Sequence, residues 1–112
     1  MRPPHAIIDG YPSRTISITT TDVAQSIPAA ELRYNGAPVI GALVSCEDEN
    51  VRFTVGDATP DAATQVGHII QNEWEWVRLH GSKAVRTFQF VSAALQTAGI
   101  IHITLEFEDP AV

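Results

Sequence analysis

The sequence predicts an all-β chain: a β-sandwich or jelly-roll-like single domain over residues 13–112, behind an extended N-terminal arm over residues 1–12. Three observations carry this expectation. Apolar and polar residues alternate repeatedly at period two, turn-forming residues recur at short intervals, and helical patterns are few and short.

The arm comes first. Pro3, Pro4 and Pro12 favour extended backbone with few internal hydrogen bonds. Such a segment is suited to lying on a neighbouring subunit. In "TISITTT", Ile16 and Ile18 alternate with Thr15, Ser17 and Thr19, the pattern of a half-buried strand. "PAAELR" has the propensity for one helical turn and no more. "APVIGALVS" is a more continuous apolar run, and its Pro38 and Gly41 predict an edge start and a bulge. "VRFTVG" sets Val51, Phe53 and Val55 against Arg52 and Thr54. "HIIQ" and "WEWVRL" read as two short strands around a turn near Asn72. "AVRTFQFVS" reads as a strand with Phe88 and Phe90 on one side and Val85, Thr87, Gln89 and Val91 on the other. "SAALQTA" has the propensity for another short helical turn. The clearest strand is "IIHITLEFE", where Ile101, Ile103, Leu105 and Phe107 oppose His102, Thr104, Glu106 and Glu108. Turn residues separate these runs at Asn35-Gly36, Glu49-Asn50, Gly56-Asp57, Thr59-Pro60, Gly81-Ser82 and Ala98-Gly99.

Length and charge bound the function. A chain of 112 residues builds one core rather than two. No apolar run approaches the roughly 20 residues that span a bilayer, so no membrane partner is expected. The net charge of -6, from 13 acidic and 7 basic residues, disfavours an extended phosphate-binding surface, so nucleic acid is not an expected partner. The apolar stretch Ala6 to Ile8 is too short for a signal-peptide core, so secretion is not expected. The single cysteine, Cys46, excludes an intramolecular disulfide and reads as a small, partly buried residue.

No catalytic, cofactor-binding or metal-ligating set stands out. His5, His68, His80 and His102 form no pair at the spacings that present two imidazoles to one metal, as an oxygenase or isomerase of cupin type would require. Asp57 and Asp61 in "GDATPDAAT" lack the dense Asp/Asn/Gly pattern of a calcium loop and read as turn caps. Nucleophile-elbow, dinucleotide and phosphate-loop motifs are absent.

The two tryptophans pose the sharpest question. On a strand, Trp74, Trp76 and Arg78 share a face opposite Val77 and Leu79. In one register both rings and the guanidinium face out, the composition of an interface hot spot. In the other, both rings fill the core and Arg78 sits at the sheet margin. Sequence leaves both registers open, along with a third use of the rings, stacking on a sugar.

The stretch "VRFTVGDATPDAATQVGHII...WVRLHGSKAVRTFQFVSA...IIHITLEFE", roughly residues 51 to 108, resembles a group of small virion proteins of tailed bacteriophages and prophages. The resemblance lies in an "RFTVG" strand, an "ATPDAAT.GH.I" loop, a strand pair and a closing alternating strand. It implies a β-sandwich that self-associates, with a trimer favoured, and binds the major capsid protein or other virion subunits as capsid decoration or cement proteins do. The implied location is the virion, assembled in the cytoplasm of a bacterial host. It carries over no catalytic residue, and it maps Gly56, Thr59, Pro60, Thr64, Gly67 and His68 as determinants of loop shape. The candidate interface is then the arm, with Arg2, Pro3 and Pro4, and the face of Trp74, Trp76 and Arg78. A neck or tail position is the nearest variant, and a small glycan-binding β-sandwich is the alternative from another class.

Overall fold

The computed structural model describes residues 12–108. Nine strands and one short α-helix follow in order: β1 (Ser13–Thr19), β2 (Gln25–Ser26), β3 (Arg33–Tyr34), β4 (Ala37–Glu47), β5 (Val51–Thr54), β6 (His68–Ile70), β7 (Val77–His80), α1 (Ser82–Thr87), β8 (Gln89–Ser92) and β9 (Ile100–Phe107). A 3-10 turn over Ala29–Leu32 precedes β3. The chain is mostly β, arranged in two antiparallel sheets, as period-two alternation predicts. Most of the expected arm, with Arg2, Pro3 and Pro4, lies outside the described residues. Pro12 is described, and its carbonyl accepts the Phe107 N–H at 3.0 Å.

The first sheet runs β1-β9-β4, with β3 and β7 sharing the far side of β4. The second runs β2-β8-β5-β6. Cross-strand register explains which residues are inside: Ile16 faces Ile103, Ile103 faces Val44, and Val44 faces Val77. These rows meet Val51, Ile70, Phe88 and Phe90 from the second sheet and its approach, forming one hydrophobic cluster. Complete burial of such side chains contributes about 1.5–3 kcal/mol each, the main favourable contribution to folding.

Local chemistry sets the corners. Asn35 and Gly36 both have positive φ, 49° and 82°, which suits the two-residue hairpin between β3 and β4. The bulge expected near Gly41 is present, with the β4–β9 register shifting between Val39 and Gly41. One expected strand is corrected: residues 84–87 of "AVRTFQFVS" belong to the helix α1, and only Gln89–Ser92 is strand. Ala84, Val85 and Phe88 fall at helical spacing and turn into the core, which period-two reading of the same residues hides. The Thr87 hydroxyl also donates to the Lys83 carbonyl at 2.8 Å, keeping this β-branched residue in the helix. "SAALQTA" forms turns rather than a helical turn.

The long β5–β6 connection is held by a buried arginine. Arg52 Nη1 donates to the carbonyls of Gln65 and Gly67 at 3.2 and 3.0 Å, while Nε and Nη2 donate to Ala93 O at 3.3 and 3.2 Å. One side chain thereby ties two loops to the second sheet. Asp61 Oδ1 accepts the N–H groups of Ala63 and Thr64 at 2.8 and 2.9 Å, and these bonds hold its carboxyl below the ordinary range. Gly67 has φ 118°, and a Cβ there would lie 2.8 Å from Phe53 O and 2.9 Å from Arg52 Cγ. Gly67→Ala is therefore expected to cost about 2 kcal/mol, from backbone strain together with displacement of the Arg52 clamp. Urea denaturation tests this, and a loss below about 0.5 kcal/mol would contradict the close approach.

Candidate functional site

The outer face of the first sheet carries two rows of hydrogen-bonded polar side chains. Its rows follow from register: Ser17 pairs with His102 and His102 with Ser45, while Thr15 pairs with Thr104 and Thr104 with Leu43. Ser17 Oγ lies 2.7 Å from His102 Nδ1, and His102 Nε2 lies 2.6 Å from Glu47 Oε1. With the ring neutral, Nε2–H donates to the carboxylate and Nδ1 accepts the serine hydroxyl; with the ring protonated, both nitrogens donate. Either way the imidazole and Glu47 are held in one orientation. One row along, the Thr15 and Thr104 hydroxyls are 2.9 Å apart.

A cavity of about 450 Å³ opens on this face, with His102, Glu47 and Thr104 on one side and Glu73, Glu75 and Trp76 on the other. Ser17 is not part of its lining. A ligand held there meets the imidazole and the carboxylates rather than the hydroxyl, although serine, histidine and glutamate are the residue types of an acyl-transfer triad.

The wall that carries Trp76 is the β6–β7 connection, and several backbone bonds fix it. Asn72 N–H donates to Asn50 Oδ1 at 2.9 Å, Glu73 N–H to Cys46 O at 3.2 Å and Glu75 N–H to Gln71 O at 3.2 Å. Glu73 takes the left-handed conformation, φ 66°. These tight turns explain why "WEW" is not strand, which corrects the expected extended run: β7 begins only at Val77.

Trp74, Trp76 and Arg78 consequently do not present one strand face. Trp74 projects from the turn, 61% exposed. Trp76 is half-buried in the cavity wall, and neither ring belongs to the core. Arg78 points to the outer face of the first sheet and pairs with Glu106. That pair crosses β4 above Gly41, whose missing side chain leaves the space: a Cβ there would lie 3.4 Å from Glu106 Oε1 and 3.5 Å from Arg78 Nη2. Glu106, expected on a solvated face, is instead fully buried.

An open groove of about 570 Å³ lies on the opposite flank of the β6–β7 connection. Phe53, Val55, His68, Ile69 and Val77 line it, and Val55 and Ile69 are exposed. Glu75 lines both the groove and the cavity. The groove, the cavity and Trp74 are thus organised by one connection.

Cys46 lines the cavity but its thiol is buried and donates to Ile70 O at 3.3 Å. Burial pushes the thiol up to about 11, with the Glu75 charge adding to the effect and a Val51 backbone hydrogen bond opposing it. The unfolded thiol ionises near 9.0. Between those values the native state holds a proton that the unfolded state has lost, so stability falls as pH rises from about 9 to 11. Denaturation midpoints across this window should decline more steeply for the wild type than for Cys46→Ala; parallel slopes would contradict a buried neutral thiol.

Among the described residues, no group of three or more His, Cys, Asp and Glu side chains is placed to hold a metal ion. Sequence reading missed the Ser17–His102–Glu47 chain, the Arg52 clamp and the Arg78–Glu106 pair. The only signal for the first was that alternation puts His102 and Ser17 on polar faces. Compared with protein-family models, curated proteins and solved structures, the chain gives no match.

Proposed function

We propose that this chain is a noncatalytic virion structural protein of a tailed phage or prophage, a β-sandwich that decorates and stabilises the head shell through subunit contacts. The observation that supports it is the open groove lined by the exposed Val55 and Ile69, together with an exposed Trp74 adjacent in sequence to Glu75 of its lining. Apolar surface of this kind on a small domain marks a contact site. Knob and groove lie on the same chain, so Trp74 of one copy seats in the groove of the next. Such a head-to-tail contact closes into a ring such as a trimer and multiplies weak contacts with the major capsid protein or other virion subunits. A neck or tail position uses the same contact.

Two measurements follow. Mass spectrometry of particles purified from the source culture should find the chain in amounts comparable to the major capsid protein; a trace amount would contradict a decoration role. Ile69→Asp should convert the oligomer to monomer in sedimentation analysis while changing monomer stability by no more than about 0.5 kcal/mol, because the side chain is exposed. An unchanged oligomer would remove the groove from the contact.

A further inference from the structure

We infer that the cavity beside Trp76 is a sugar-binding site, selective for a pyranoside ring that is neutral or carries an amino group. The inference does not depend on the chain being a virion subunit.

Its volume, about 450 Å³, lies within the range of small-ligand sites and is large enough for one or two sugar rings. A pyranose presents an apolar C–H face and a rim of hydroxyls. Recognition therefore needs a flat aromatic surface with hydrogen-bonding groups beside it. Trp76 supplies the surface: it is half-buried and lines the cavity. Glu47, Glu73 and Glu75 supply acceptors for hydroxyl protons, and His102 and Thr104 add further polar atoms.

These groups are ordered before any ligand arrives. Ser17 holds His102 at 2.7 Å, His102 holds Glu47 at 2.6 Å, Thr104 is bonded to Thr15 at 2.9 Å, and Glu75 Oε1 accepts the Gln71 N–H at 3.3 Å. Binding then requires little further ordering of side chains, which matters for a ligand as weakly held as a single sugar. The charge of the lining sets the selectivity. Its three carboxylates repel an acidic sugar, and they accept a neutral hydroxyl or an ammonium group.

The test uses the full chain with Trp74→Phe, which leaves Trp76 as its one tryptophan. Its emission is followed during titration with methyl glucoside, methyl galactoside, glucosamine and glucuronate. The expected result is a saturable change in the millimolar range for at least one of the first three, with glucuronate weaker by about tenfold or more. Glu47→Gln in the same background should weaken binding by about fivefold, with an unchanged circular dichroism spectrum. By calorimetry, Trp76→Ala should abolish binding. No saturation with any of the three up to about 100 mM, or glucuronate binding as well as the neutral glycosides, overturns the proposal. So does a folded Glu47→Gln chain that binds like its parent.

Discussion

Phe88→Ala should lower the stability of this protein by about 4 kcal/mol, because it truncates a fully buried ring. Phe88 is fully buried where α1 ends and β8 begins. Its ring centroid lies 5.6 Å from that of Phe53 and 5.8 Å from that of Phe90. Truncation removes the contacts that join helix to sheet and leaves a cavity that the neighbouring strands cannot collapse into without losing register. For a domain of this size the loss corresponds to a fall in melting temperature of roughly 15–25 °C. Phe88→Leu, which refills most of the space, should cost less than half as much. A melting point within a few degrees of the wild type for Phe88→Ala would mean that this ring does not fill the core.

Glu106→Ala should cost about 3 kcal/mol through a different mechanism. The Glu106 side chain is 1% exposed and that of Arg78 is 24% exposed, so their ion pair is largely shielded from water. Removing the carboxylate leaves a mostly buried guanidinium without this counter-charge, and desolvation that the pair had offset becomes a net cost. Replacing both partners, Glu106→Leu with Arg78→Met, should be less damaging than Glu106→Leu alone, giving a coupling of at least about 1 kcal/mol in a double-mutant cycle. The coupling should survive high salt, as screening acts weakly on a buried pair. Additive effects of the two substitutions would contradict the pairing across Gly41.

The strands were legible because one buried face imposes alternation. Ile101, Ile103, Leu105 and Phe107 lie inside as their spacing indicates, as do Ile16 and Ile18 more shallowly. The Asn35-Gly36 hairpin and the bulge at Gly41 were legible because each needs a particular residue at a particular backbone angle. Helix α1 was not legible because Phe88 and Phe90 satisfy period two while Ala84, Val85 and Phe88 satisfy helical spacing over the same short span, and only the tertiary packing chooses between them. Glu106 was misplaced for a related reason. Alternation assigns a face, but it does not say that an arginine two strands away will cover that face.

The cavity was harder still. Ser17, Glu47 and His102 come from three strands, separated by 85 and 55 positions in the pairs that bond. No local pattern announces such a meeting. Of the rings, sequence identified Trp74 and Trp76 as the residues to watch but assumed a strand. Trp74 lies within the turn and Trp76 just past it, so Trp76 lines the cavity and Trp74 projects from the turn.

The proposed role on a virion is tested most directly by immunogold electron microscopy of intact particles released from the source culture, using an antibody to this chain. A decoration role predicts dense label distributed over whole heads. Label confined to one vertex or to the tail would move the contact to the neck or tail, and particles left bare by an antibody that binds the purified chain would contradict the proposed function.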